Sequence, residues 1–172
     1  MEPLAQLVPQ LKHLRRSGLL ESLEVRNRQA VEERLSYLEF LERLLQDEVE
    51  RRAQKQLQLR LRRSGLRSDK TLETFDFSFN PTINRQLDLA TGLYIRRHEN
   101  VLICGPTGVG KSHLAQALGH EACRRGYSVL FVSAPKLLQQ LNAGRADGSY
   151  SRRLNAYLAP DLLIVDDFGL KG

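Results

Sequence analysis

The sequence predicts an α/β core on a parallel sheet with helices on both faces, preceded by a small helical N-terminal domain. Three observations predict it. Short apolar runs at 101–104, 128–133 and 162–165 alternate with stretches of helical spacing, the pattern of strand–helix–strand units. The first 63 residues carry helical spacing almost throughout. A glycine-rich octapeptide joins the first apolar run to the helix that follows it. The expected organisation is a helical domain over 1–65, a linker and lead-in helix over 66–98, and the core over 99–172.

In chain order, Leu4, Leu7, Val8, Leu11 and Leu14 recur at helical spacing, and Gly18 is the expected stop. Ser22 is placed to cap a second helix ending near Glu33. Ser36 and Glu39 form a capping-box pattern that starts a third helix, with Leu38, Leu41, Leu45 and Val49 on one face. Good helix formers extend it to about Arg63, and Ser64-Gly65 breaks it. Phe75, Phe77 and Phe79 alternate with polar residues as an extended segment with one apolar side. Asn80 and Pro81 suit the cap and first position of a helix running through Leu87 and Leu89 toward Gly92.

The core follows. Val101–Cys104 reads as a buried strand, Lys111–Arg125 as a helix with Leu114, Ala115, Leu118 and Ala122 on one side, and Ser128–Ser133 as a strand. Pro135–Leu141 and Ser149–Leu158 read as helices separated by a surface loop over Asn142–Ser149, and Leu162–Val165 as a last strand.

Composition narrows the class. Of 172 residues, 41% are apolar and 27% charged, an ordinary soluble balance with no run long enough to span a membrane and no signal-peptide pattern. Cys104 and Cys123 imply no disulfide framework and read as small packed side chains; a cytoplasmic location is expected. The net charge is +6, yet residues 51–70 alone set Arg51, Arg52, Lys55, Arg60, Arg62, Arg63, Arg67 and Lys70 against Asp69. Such an excess attracts phosphate backbones or acidic surfaces, or is a solvated helix face.

Gly105-Pro106-Thr107-Gly108-Val109-Gly110-Lys111-Ser112 fits G-x-x-x-x-G-K-[ST] in full, the P-loop or Walker A pattern. Small residues let the main chain curl so that successive N–H groups face phosphate oxygens, and the helix beginning near Gly110 adds its positive end. Lys111 is the expected catalytic cation on the β and γ phosphates of ATP, and Ser112 the expected Mg²⁺ hydroxyl. In this composition the pattern arises by chance roughly three times in a thousand. His113 closes the expected nucleotide-contacting set, its side chain reading as helix surface or packing. Leu162–Asp167 is an apolar strand ending in two carboxylates, the Walker B form. Asp166 is the expected Mg²⁺ carboxylate and Asp167 the expected base that polarises the attacking water, one methylene shorter than the glutamate many such ATPases use.

With Tyr37–Leu41, Phe75-Asp76-Phe77, Asn80-Pro81, the P-loop and Asp161–Gly169 taken together, the chain resembles the IstB-like ATPases, helper proteins of bacterial insertion sequences. The resemblance covers nearly the whole chain. It implies an AAA+ ATPase related to the DnaC-type helicase loaders, binding ATP with Mg²⁺, contacting DNA non-specifically, assembling into homo-oligomers and assisting a transposase. The DNA contacts it suggests are Arg51, Arg52, Lys55, Arg60, Arg62, Arg63 and Arg67. It also implies a longer core, with two more strands, a sensor residue, an arginine finger and a helical lid beyond Gly172. On that basis a strand position between 101–104 and 162–165 is expected to stand unfilled, and the chain is expected to be C-terminally truncated, keeping phosphate contact and hydrolysing slowly. A helicase loader in replication, a non-catalytic fragment that binds DNA or a partner, and a small-molecule P-loop kinase are the competing readings.

Overall fold

The computed structural model describes residues 3–77 and 87–168. It divides into two compact units, with the boundary between Gln56 and Leu57.

The first unit holds α1 (Pro3–His13), α2 (Ser17–Glu33) and the first part of α3 (Tyr37–Ser64). Gly18 is not a stop: it lies in the first turn of α2, where a Cβ would stand 2.7 Å from Glu48 Oε2 and 2.8 Å from Glu48 Cα. Glu48 explains why α2 starts ahead of Ser22. Its buried carboxylate accepts the N–H groups of Gly18 (2.7 Å) and Leu19 (3.3 Å), doing from another helix what a local cap would do. Ser22 Oγ donates instead to Gly18 O at 3.0 Å. Arg26 adds a two-pronged bond to Asp47, 2.9 and 2.7 Å. The Ser36–Glu39 box forms as expected: Ser36 N–H donates to Glu39 Oε2 (2.8 Å) and Glu39 N–H to Ser36 Oγ (3.3 Å). The α3 face carrying Leu38, Leu41, Leu45 and Val49 is exposed, and Leu44 and Glu48 take the buried side.

The second unit holds the end of α3, then α4 (Leu87–Ala90), α5 (Leu93–Arg96), α6 (Lys111–Arg124), β1 (Val129–Ser133), α7 (Ala134–Ala146), α8 (Tyr150–Leu158) and β2 (Leu162–Asp166). Its core gathers Tyr94, Ile95, Ala122, Cys123 and Val129, with Leu57, Leu61, Leu66, Leu162 and Ile164 packed against them. The two strands pair in parallel, Val129 opposite Leu162 and Ser133 opposite Asp166. Asp161 clamps the entry to this pair by accepting the N–H (2.8 Å) and hydroxyl (2.7 Å) of Ser128, bonds that hold its carboxyl below the usual range.

Further expectations are corrected. Val101–Cys104 forms no strand, Leu102 is 84% exposed and Cys104 is exposed rather than packed. An apolar run becomes a strand only beside a partner edge, and the sheet among the described residues is the β1–β2 pair alone. Residues 142–146 are not loop but the last turns of α7, where buried Gly144 lets α8 approach: a Cβ there would meet Arg153 Cδ at 2.9 Å and Tyr150 Cα at 3.0 Å. Phe77 lies in a single 3-10 turn. Phe79 and the Asn80-Pro81 cap fall outside the described residues.

Candidate nucleotide site

The site begins where the 101–104 segment gives way to a turn over Thr107–Gly110 and then to α6. Gly108 and Gly110 take φ of 88° and 87°, values that side chains resist. Gly110 is doubly constrained: a Cβ would sit 3.1 Å from the Phe75 ring. Among the described residues, the first α6 bond to a main-chain acceptor is Leu114 N–H to Gly110 O at 2.9 Å. The N–H groups of Gly110 through His113 make no main-chain bond among the described residues. A row of open amides at a helix start is a ready anion site. Lys111 Nζ donates to Pro106 O at 2.7 Å, so the ammonium lies over the loop itself.

Two residues 54 apart meet here. Ser112 Oγ donates to Asp166 Oδ1 at 3.0 Å, joining the first turn of α6 to the C-terminal end of β2. The β1–β2 register and the packing of α6 on both strands bring this about without any strand at 101–104. A hydroxyl and a carboxylate oxygen side by side are hard donors suited to Mg²⁺, whose remaining positions go to water and phosphate. Asp167, next along, is exposed with φ of 55°.

His113 does more than its sequence context suggests. Its Nε2 lies 3.2 Å from Thr71 O and 3.2 Å from Thr74 Oγ1, and Phe75 meets its ring edge-on with centroids 5.2 Å apart. Thr71 and Thr74 were not legible as neighbours of the loop, because nothing local marks a contact about 40 residues distant. Of the expected DNA-contacting residues, Arg51 is engaged by Ser17 and Glu21, Arg52 by Glu48, Arg60 by Cys123 O and Arg67 by Asp69. Lys55, Arg62 and Arg63 are exposed and carry no such bond among the described residues.

Fold and site together define a P-loop nucleotide-binding protein of α/β class: a glycine-rich turn between an apolar segment and a helix, with a strand-end aspartate on the loop serine. Comparison with known proteins narrows the class. The family described as IstB-like ATP binding protein matches residues 9–172, and the chain belongs to that family. It is 40% identical over 163 residues to a Mycobacterium tuberculosis protein named for ATP binding in an insertion sequence, covering 94% of this chain and 65% of that one. It is 40% identical over 164 residues to a similarly named protein of IS1162 from Pseudomonas fluorescens, covering 94% and 71%. To one of IS21 from Pseudomonas aeruginosa it is 39% identical over 171 residues, covering 98% and 63%. The chain thus spans about two thirds of the length of these relatives. Among the described residues no helix is long and apolar enough to cross a membrane.

Proposed function

We propose that this chain binds ATP with Mg²⁺ through Gly105–Ser112 and serves as the nucleotide-dependent helper of an insertion sequence, contacting DNA, assembling into homo-oligomers and assisting a transposase in the cytoplasm. The observation that carries the nucleotide reading is the 3.0 Å Ser112–Asp166 contact beside a row of open amides. The family and the names of the relatives support the insertion-sequence setting.

Each residue has a task in this reading. The N–H groups of Gly108–His113 donate to phosphate oxygens. Lys111 leaves the Pro106 carbonyl and adds a point charge to the terminal phosphates. Ser112 and Asp166 hold Mg²⁺, which neutralises phosphate charge when bound. Asp167 is the base that orients water. Its carboxylate is exposed and has no partner among the described residues to fix it, which supports binding that outlasts slow turnover. DNA contact falls to exposed cations that no carboxylate already claims, Arg62 and Arg63 among them.

The test is the Mg²⁺ dependence of ATP binding in the wild type, Ser112→Ala and Asp166→Asn. The wild type is expected to bind ATP at least tenfold more tightly with Mg²⁺ than with EDTA, and both variants to lose most of that gain. Equal affinities in all three would sink the reading. Co-purification with a replicative helicase rather than a transposase would favour the loader alternative.

A further inference from the structure

Residues 66–75 lie along one face of α6 and are held there at almost every step. Leu66 packs over Gly119. Gln116 Oε1 accepts the Arg67 N–H at 3.0 Å, and His120 Nε2 donates to Arg67 O at 2.8 Å. His113 Nε2 sits between Thr71 O and Thr74 Oγ1. Arg124 bonds Glu73 at 2.5 Å, which holds that carboxyl down at about 2. Phe75 ends the run against His113 and Gly110. Positions 113, 116, 120 and 124 recur at helical spacing, so one stripe of side chains serves one segment of main chain. Gln116 and His120 are buried. A helix buries polar side chains at a cost unless they are paired, and here the partner is the main chain of a segment that lacks a ladder of its own.

The two ends of this contact matter. One end follows α3 directly. The other rests on Gly110 and His113, which belong to the phosphate-binding turn. The segment's main-chain bonds are long: Thr74 N–H to Thr71 O and Phe75 N–H to Leu72 O are both 3.3 Å, and Lys70 N–H to Arg67 O is 3.2 Å. Its shorter internal bonds gather at the Thr74 hydroxyl, which donates to Asp69 O at 2.8 Å and accepts the Thr71 N–H at 3.1 Å, and this same hydroxyl is the one that His113 meets.

Resting on the nucleotide reading above, we propose that 66–75 is a strap whose hold on α6 tightens when the loop is filled, with His113 as the positioning residue. Phosphate oxygens accepting from the open amides of the first α6 turn fix that turn. The His113 imidazole springs from the same turn, and the Phe75 ring lies on Gly110, so fixing the turn fixes Thr71–Phe75. The entropy of ordering the strap is then spent at the nucleotide site, which couples loop occupancy to the C-terminal end of α3.

Hydrogen exchange of the full chain, with and without Mg²⁺ and a non-hydrolysable ATP analogue at ten times its Kd, tests this. Amides that exchange only from the empty form slow about tenfold under that condition. The expected result is slowing both at 108–113 and at Lys70, Thr71, Thr74 and Phe75. His113→Ala, at nucleotide ten times its own Kd, is expected to keep the slowing at the loop and lose it at the strap. His113→Gln, whose amide places an N–H near the position of Nε2, is expected to restore it. Slowing at the loop with an unchanged strap in the wild type overturns the coupling alone. No slowing at either overturns the nucleotide reading as well. A strap that still responds in His113→Ala overturns the role given to that side chain.

Discussion

Replacing Gly110 and Gly108 by alanine, one at a time, separates two costs that the loop combines. Both glycines have nearly the same φ, 87° and 88°, so the backbone penalty of a Cβ is shared, about 1–2 kcal/mol. The entropy that alanine removes from the unfolded chain is also shared and cancels in the comparison. The surroundings differ. A Cβ at Gly108 meets nothing within 4 Å, whereas one at Gly110 stands 3.1 Å from the Phe75 ring. Displacing a ring packed between Gly110, His113 and Phe77 costs a further 1–2 kcal/mol or so, the lower range for overpacking. At about 4 °C per kcal/mol for a unit of this size, Gly108→Ala is expected to lower the melting temperature by about 4–8 °C and Gly110→Ala by about 8–16 °C. The assay is thermal unfolding without nucleotide. Phe75→Leu added to Gly110→Ala is expected to recover part of the extra loss, since the smaller side chain yields the space. Equal losses in the two single variants, or no recovery in the double one, would refute the placement of Phe75 on the loop.

Further outcomes follow from the same geometry. Glu48→Ala strips the partners from Gly18 N–H, Leu19 N–H and Arg52 and is expected to destabilise the first unit by about 2–3 kcal/mol in urea unfolding. Burial pushes the Glu48 carboxyl up, but the bonds from Arg52, Gly18 and Leu19 outweigh it and leave its pKa lowered. A lowered carboxylate contributes its full stability above its unfolded pKa of about 4.3 and loses it as pH falls through the folded value, so the wild type is expected to weaken below about pH 4 by this route while Glu48→Ala does not. Arg62→Ala and Arg63→Ala are each expected to flatten the salt dependence of DNA binding by about one unit of log–log slope, in a fluorescence-anisotropy titration across salt. Arg52→Ala, whose charge already meets Glu48, is expected to change that slope less.

How much of this the sequence carried depends on the range of the contact. The Ser36–Glu39 box is four residues long and formed as read. The P-loop octapeptide and the Asp166 strand end each occupy a few consecutive positions, so the sequence alone proposes them as one candidate site, and the structure brings Ser112 onto Asp166. The α2 cap was not legible, since the carboxylate that supplies it lies 30 residues away on α3. The stripe of His113, Gln116 and His120 reads locally as ordinary helix surface, and only the strap lying on it gives those side chains a purpose. Two misreadings share a cause. Gly144 reads as a loop residue because glycine weakens helices, yet α8 comes so close there that a Cβ would force Arg153 and the Tyr150 main chain to shift. Val101–Cys104 reads as a strand because its residues suit one, yet a strand also needs a neighbour, and neighbours are set by the rest of the sheet.

The affinity series AMP, ADP, ATP, measured on the wild type and on Lys111→Ala, addresses the core of the account, which is that main-chain amides and one ammonium hold a polyphosphate. Affinity is expected to climb with each added phosphate in the wild type, and Lys111→Ala to cost ATP about tenfold or more while leaving AMP nearly untouched. A flat series, or an ATP affinity indifferent to the loss of the ammonium, would contradict it.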